Sequence, residues 1–377
     1  MGERAILFIT RKYPPSVGGM QKLSYELTTR ISKERKIHVI SWGRDRQGLP
    51  LFIFWAFVRA IYLLLREDIA LIHLSDPLLS PLGLALQVIR QIPVVVNAHG
   101  LDITYPNHLY QMLIPAFLRH LTCVICISMY TKNECIKRGI PATRCEVIPP
   151  GIDVNKYIIK LSDVERATWL SLWGVHSPHT KILLTSGRLI QRKGVTHFIL
   201  KGLPLLAAQR QDWVYLIVGE GPERPKIEEA IRTLGLSQHI KILGKLQEHE
   251  LRIAYALADV FVMPNIPITG NPEGFGIVAL EARASGVPVV ASDLEGIREA
   301  VGGCEDGTLI KPGDWSAFVA AINWWLNRSE TILDRERRRE RVKAEFDWSV
   351  IIPKYLTLFQ FLENSYSKKR NRHADSN

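Results

Sequence analysis

Twice along this chain, short apolar runs alternate with segments of helical period, and no other feature limits the possible folds so sharply. In the first half the strand-length runs are 5–10, 37–41, 69–74, 93–97, 123–127 and 145–148. Helical segments fit between them at 20–31, 51–66, 79–90, 107–121 and 129–138, the first carrying Leu23, Leu27 and Ile31 on one stripe. Pro149-Pro150-Gly151-Ile152-Asp153 breaks the pattern, and a weakly organised stretch containing Asp163, Gly174, Ser177 and Pro178 reads as a connection between domains. The alternation then restarts, with runs at 181–186, 213–218, 240–243, 260–263, 287–291 and 308–310. Helices fit at 194–207, 222–234, 247–258, 274–285, 295–301 and 315–327. Such alternation builds parallel sheets with crossover helices, so the predicted fold class is α/β, with doubly wound parallel sheets. At 377 residues the chain is too long for one ordinary core, which makes two domains the expectation. Residues 334–343 form a charge-dense helix with a solvated face, and 365–377 read as a frayed, polar and basic tail.

Composition narrows the setting. Hydrophobic content of 47% with 23% charged residues is that of a globular protein. Of the formal net charge of +11, residues 1–170 carry +8, so the first half is the expected surface for an anionic partner, such as a lipid headgroup or lipid phosphate. Nucleic acid is set aside because clustered basic–aromatic readout motifs are missing. The opening apolar run is five residues long and is followed by two cations and a diproline, unlike a signal peptide. The longest apolar run, 51–65, would rise roughly 22 Å as a helix, short of a ~30 Å hydrocarbon core, and Arg59 interrupts it. It reads as a helix packed on a sheet. Its aromatics Phe52, Phe54, Trp55 and Phe57, in a basic half, leave a membrane-lying role open. The expected location is cytoplasmic, with a peripheral place on the inner face of the plasma membrane as the alternative. Five cysteines suggest reduced thiols, and Cys123 and Cys126, three apart on a strand, face opposite sides and cannot easily share a metal.

Chemistry concentrates in Asn271-Pro-Glu-Gly-Phe-Gly-Ile-Val-Ala-Leu-Glu-Ala-Arg-Ala-Ser-Gly286. Two carboxylates, Glu273 and Glu281, flank a helix N-terminus, with Glu281 expected about two turns inside. Gly274 and Gly276 allow close backbone approach, and a Gly-rich turn opening a helix offers unpaired N–H groups to an anion. A pair of solvated helix carboxylates is the plain alternative. Together with Met263-Pro264 and Ser285-Gly-Val-Pro-Val-Val, this stretch resembles the donor-site signature of the retaining glycosyltransferases of family 4, the group-one glycosyl transferases. The resemblance spans roughly 4–362 and is strongest at 181–301.

That resemblance implies the GT-B fold: two Rossmann-like domains facing across a cleft. Its divisions would be an acceptor domain at 1–155, a nucleotide-sugar donor domain at 156–346, a helix at 347–364 crossing back to the first domain, and the tail. Residue by residue, it implies that Arg188 and Lys193, within Gly187-Arg188 and Lys193-Gly194, bind the pyrophosphate. Cations at a strand-to-helix mouth suit a diphosphate on chemical grounds too. Glu273 would hold sugar hydroxyls, with Gly274, Phe275 and Gly276 lining the donor, and Glu281 would hold the ribose. Gly18 and Gly19, after Tyr13-Pro14-Pro15, resemble the first-domain phosphate loop. His99, in His99-Gly-Leu-Asp102, would lie near the sugar and the acceptor hydroxyl, with Asp102 as support. The insert 265–272, longer than the family's minimal loop, reads as a shaped loop at the donor site.

The implied activity is metal-independent, retaining transfer of a sugar from a nucleoside-diphosphate sugar to an acceptor hydroxyl, in cell-surface glycan, polysaccharide or glycolipid synthesis. No Asp-x-Asp occurs and no cofactor is expected; the nucleotide sugar is a co-substrate. The competing readings are a sugar-nucleotide epimerase or phosphorylase of the same fold, or a noncatalytic anion-binding protein.

Overall fold

The computed structural model describes residues 4–374 except Val17, 43–47 and Pro178, and it leaves out the side chains of 369–374. The first residues of the chain, one residue of the loop expected to hold phosphate, one residue of the interdomain stretch and the end of the tail thus lie outside the described residues.

The chain forms two compact units, one of residues 1–151 with 348–377 and one of Ile152–Asp347. In the first, six parallel strands stand in the order β2-β1-β3-β4-β5-β6. They are β1 (Ala5–Thr10), β2 (Ile37–Ser41), β3 (Ile69–Leu74), β4 (Val94–Ala98), β5 (Cys123–Cys126) and β6 (Cys145–Val147). The central strands are buried along their whole length, as a parallel sheet covered on both faces requires. The connecting helices are α1 (Gly19–Ile31), α2 (Leu49–Arg66), α3 (Ser80–Arg90), α4 (Leu101–Thr104), α5 (His108–Leu118) and α6 (Met129–Lys137).

Local chemistry explains where they begin. Pro sits in the first turn of α2 and α3, while Asn107 and Ser128 side chains accept the Tyr110 and Thr131 N–H groups. One face of the sheet buries Phe52, Leu64, Leu82, Leu86, Ile114 and Leu118 from α2, α3 and α5. The other buries Leu27 and Ile31 of α1 together with Trp348, Ile351, Tyr355 and Phe359 of the C-terminal helix Trp348–Ala374. That helix corrects the sequence reading, which ended ordered structure before residue 365: the ten residues to Ala374 are helical, and the Tyr366 hydroxyl lies 2.9 Å from Thr122 Oγ1. Cys123 and Cys126 fall on opposite faces of the sheet, Cys126 beside Cys135.

The second unit repeats the architecture, in the order β12-β11-β10-β7-β8-β9. Its strands are β7 (Lys181–Ser186), β8 (Trp213–Val218), β9 (Ile240–Gly244), β10 (Val260–Met263), β11 (Val289–Ser292) and β12 (Gly307–Ile310). Its helices are α7 (Asp163–Leu172), α8 (Val195–Lys201), α9 (Leu203–Ala207), α10 (Arg224–Thr233), α11 (Glu248–Leu257), α12 (Ile277–Ala284), α13 (Ile297–Val301), α14 (Trp315–Asn327) and α15 (Ile332–Phe346). The unit's two ends lie side by side, Ile152 pairing with Asp347 and donating its N–H to Phe346 O at 2.8 Å.

Three expectations need correction here. The stretch taken as weakly organised contains α7, started by a reciprocal capping box between Ser162 and Glu165. The helix placed at 194–207 is two helices meeting at Gly202. And α12 begins at Ile277, because Gly276 is left-handed (φ 85°) and cannot be part of the helix, which puts Glu281 just over one turn in, not two.

Candidate active site

In a parallel sheet, functional loops follow the carboxyl ends of the strands. In the second unit the loops after β7, β8 and β9 are knitted together through their backbones. Gly187 N–H donates to Val218 O (2.9 Å), Leu189 N–H to Glu220 O (2.9 Å), and Gly219 N–H to Gly244 O (2.7 Å). The loop after the neighbouring β10 joins them, Ile266 N–H donating to Arg192 O at 3.0 Å. Gly194 closes this turn in the left-handed region (φ 67°), and a Cβ there would run into the Pro264 carbonyl, so only glycine fits.

On this frame Glu273 is gripped by cations. Its Oε2 lies 2.6 Å from Lys193 Nζ and 3.4 Å from Arg192 Nε, and it accepts from Asn265 Nδ2 at 3.3 Å. Burial by itself would raise the carboxyl pKa, but the charges and hydrogen bonds of Lys193 and Arg192 outweigh it and hold the group below the usual carboxylate range. Arg192 also donates to Asn271 Oδ1 (2.7 Å), so the 265–272 insert is folded onto the 191–193 turn. The Glu273 N–H is taken by the carboxylate of Glu295, a non-glycine residue with φ 48°.

The other candidates sort themselves around this pair. Arg188 is exposed, and its side chain has no hydrogen bond or ion pair among the described residues. Gly187 and Gly276 line the same loops, while Gly274 carries the close packing of Gly296 against its carbonyl. Phe275 turns inward, 3% exposed, with its ring 5.9 Å from that of Phe346. Glu281 is buried, and its two oxygens accept from Tyr157 Oη (2.9 Å) and Tyr255 Oη (2.8 Å); Tyr255 Oη also lies 2.5 Å from Ser186 Oγ.

In the first unit, the residues after β1, β3 and β4 converge. Arg11 Nε donates to the fully buried Asp76 (2.9 Å), whose carboxylate also accepts the Leu78 N–H. His99 Nε2 lies 2.8 Å from Ser75 O, and the His99 N–H donates to both oxygens of Asp102, at 2.8 and 3.0 Å. Asp102 therefore fixes the backbone of His99 and not its ring. Burial pushes the Asp102 carboxyl up to about 6 against the opposing pull of His99 and Arg11. Gly18 and Gly19 stand exposed at the start of α1, Gly18 O accepting from Lys22 N–H.

Two family models divide the chain between them: Glycosyltransferase Family 4 over residues 8–156 and Glycosyl transferases group 1 over 175–344. The chain belongs to the group 1 glycosyl transferases of family 4. It is a nucleotide-sugar-utilising glycosyltransferase with the GT-B fold. The chain is 25% identical over 389 residues to a GDP-mannose-dependent alpha-(1-6)-phosphatidylinositol monomannoside mannosyltransferase of Mycobacterium tuberculosis, covering 93% of this chain and 96% of that one. An uncharacterized glycosyltransferase of Methanocaldococcus jannaschii is 29% identical, with 94% and 97% covered. Among solved structures, Anabaena HepE in complex with UDP superposes with a TM-score of 0.76 at 21% identity, over 94% of this chain and 99% of that one, which is likeness of fold.

For this glycosyltransferase the sequence reading missed Arg192, Glu295, Asp76 and the tyrosines around Glu281. Asp76 carried a local signal, Asp76-Pro77 at the end of an apolar run, which reads as a helix cap. The others are joined to the site only by tertiary packing. Among the described residues, no group of three or more His, Cys, Asp or Glu is placed to hold a metal ion.

Proposed function

We infer that the enzyme transfers a sugar, with retention of configuration and without a metal, from a nucleoside-diphosphate sugar to a hydroxyl of a glycan or lipid-linked acceptor. The observation that carries this reading is the ionised Glu273 beside Lys193 and Arg192, with Arg188 unengaged, where the loop after β7 meets the loop that leads from β10 into α12. Such a mouth suits a ligand that is anionic at one end and rich in hydroxyls at the other. In this reading Arg188, Lys193 and the backbone amides at Gly18 and Gly19 neutralise the leaving diphosphate, an electrostatic role for preorganised groups. Glu273 orders the sugar hydroxyls, Glu281 takes the ribose, and His99 serves the sugar and the acceptor hydroxyl. The acceptor oxygen attacks C1 on the face that the diphosphate leaves. The C1–O bond to phosphate breaks as the new glycosidic bond forms, and the acceptor proton passes to the departing phosphate oxygen. The names of the mycobacterial relatives make GDP-mannose the first donor to try and an inositol-bearing glycolipid the first acceptor.

A panel of nucleoside diphosphates and their sugars, screened by thermal shift, identifies the donor, because a ligand that binds only the folded state raises its apparent stability. Incubating that donor without acceptor then tests the class of reaction. Slow hydrolysis, and an anomeric proton of unchanged configuration once acceptor is added, support transfer; an epimer formed without acceptor, or sugar 1-phosphate formed with phosphate, overturns it.

A further inference from the structure

Helix α2 faces two ways. Phe52, Ala56, Ala60, Leu63 and Leu64 are buried against the sheet, and Ile53, Phe57 and Ile61 are packed at the margin. The opposite side presents Leu51, Phe54, Trp55, Val58, Tyr62 and Leu65 to solvent, Phe54 being 67% and Leu65 74% exposed. The helix is thus packed on the sheet, as the sequence reading expected, and of the four aromatics Phe52, Phe54, Trp55 and Phe57 on this segment Phe54 and Trp55 face outward. The neighbouring helices also expose apolar residues. α3 packs against both α2 and α5; it exposes Val88 and Ile89, and α5 exposes Leu109, Met112 and Leu113. Scattered exposed apolar residues are ordinary on a soluble protein, but a stripe along one side of α2, with more such residues on the helices packed beside it in turn, marks an interaction surface.

The charges on these helices say what kind. α2, α3 and α5 contain no Asp or Glu, and they carry the exposed cations Arg59, Arg66 and Arg90. The Arg59 guanidinium lies 5.0 Å over the Tyr62 ring, and it makes no ion pair with a carboxylate among the described residues. Glu67 and Asp68, just past α2, are already paired with Lys36 and Arg4. A second copy of the chain docked face to face would set cations against cations. An anionic bilayer offers the complement: headgroup phosphates for the arginines and acyl chains for the apolar side chains. Trp and Tyr on the same face favour the depth where hydrocarbon meets headgroup.

We propose that the outward face of α2, extended by α3 and α5, docks flat on an anionic lipid bilayer. The helices lie in the membrane plane. α2, of 18 residues and about 27 Å by its rise per residue, stays fastened to the sheet by its buried side and does not cross. This surface is independent of the sugar transferred.

The full chain tests it, sedimented at low and high salt with vesicles of phosphatidylglycerol in phosphatidylcholine and of phosphatidylcholine alone. Binding is expected to the anionic vesicles and to fall at high salt, since screening confines the attraction to about 8 Å at physiological salt. Phe54→Ser with Leu65→Ser should lower the bound-to-free ratio roughly tenfold or more, because both side chains lose their place among the acyl chains. Nitroxide lipids should quench a component of fluorescence that Trp55→Phe removes. All of these residues are exposed, so circular dichroism and hydrolysis of soluble donor should be unchanged in the variants. That hydrolysis is read without vesicles and so reports on the transferase reading alone. No binding to anionic vesicles at low salt, or binding that the double variant does not weaken, overturns the proposal. So does a lipid-free dimer that the double variant dissolves.

Discussion

Lys193 and Arg188 separate two jobs that cations at the proposed diphosphate site can do. Lys193 is committed to Glu273 at 2.6 Å, whereas Arg188 has no side-chain partner among the described residues. Arg188→Ala should weaken nucleoside-diphosphate binding by about 1.5–3 kcal/mol, the worth of a hydrogen bond to a charged group, and leave nucleoside binding and the melting temperature unchanged. Lys193→Ala should weaken the same binding and also lower the melting temperature, because it strands a mostly buried carboxylate. Calorimetric titration of nucleoside against diphosphate, beside a melting curve, reads both; equal losses for the two ligands would make these cations structural. Glu273→Gln keeps the shape and removes the charge. Because the carboxyl is held below its ordinary range, its contribution to stability is fully present above the unfolded carboxylate pKa and is lost as pH falls through the lower folded value. The wild type and the Gln variant should therefore differ in melting temperature at neutral pH and converge in acid, while transfer by the variant stays low throughout.

A second titration belongs to the first unit. His73 is buried between Phe8 and Phe359, its Nε2 3.1 Å from Asn97 Oδ1, and Asn97 in turn donates to Tyr355 Oη. Burial lowers the imidazole pKa to about 3 in spite of the Asn97 bond. The folded state then refuses a proton that the unfolded chain accepts below its ordinary pKa of about 6.5, so this residue costs stability progressively as pH falls from there. The ring resonances of His73 should stay constant from pH 8 to pH 5 in a proton–carbon spectrum. A midpoint within that span would mean that the ring is solvated.

At the scale of elements, the strands were the most legible part of the sequence. β1, β7, β8 and β10 stand where the apolar runs placed them, since a strand covered on both faces must be apolar throughout and its ends show as a change of composition. Helix starts were less visible when their signal was capping and not periodicity. Ser162-Asp-Val-Glu165 is a capping box that was passed over in a stretch read for its Gly, Ser and Pro. For the candidate site, the sequence offered carboxylates and glycines as candidates but none of the side chains that support them. Tyr157 and Tyr255 meet Glu281 from 124 and 26 residues away, and Glu295 meets the Glu273 backbone from 22, distances that no local pattern spans. Tyr255→Phe tests such a support. It removes at once the hydroxyl beside buried Ser186 and one of the two tyrosine donors to Glu281, so a loss on the order of 1–3 kcal/mol in stability is expected by chemical denaturation, together with weaker nucleotide binding.

For the molecule as a whole, the two units differ in how the chain builds them. Ile152–Asp347 is continuous, closes its ends on each other and holds Gly187, Arg188, Lys193, Glu273 and Glu281. The other unit is discontinuous: its sheet buries Ile6, Phe8, Leu71 and Val95 beneath side chains of the C-terminal helix, which follows only after the whole of Ile152–Asp347. A fragment of residues 1–151 keeps α1 on that face but lacks the rest of the cover and exposes the apolar surface that the C-terminal helix buries, so it should aggregate, and adding the C-terminal helix as a peptide should restore soluble protein. The fragment 152–347 should fold cooperatively alone. If the pyrophosphate is held by Arg188, Lys193 and the α12 N-terminus, the fragment should bind nucleoside diphosphate within about tenfold of the full chain, a difference of about 1.4 kcal/mol. A folded fragment that binds nucleoside but not diphosphate would transfer the phosphate role to the first unit, with Gly18 and Gly19 at the start of α1 as its carriers.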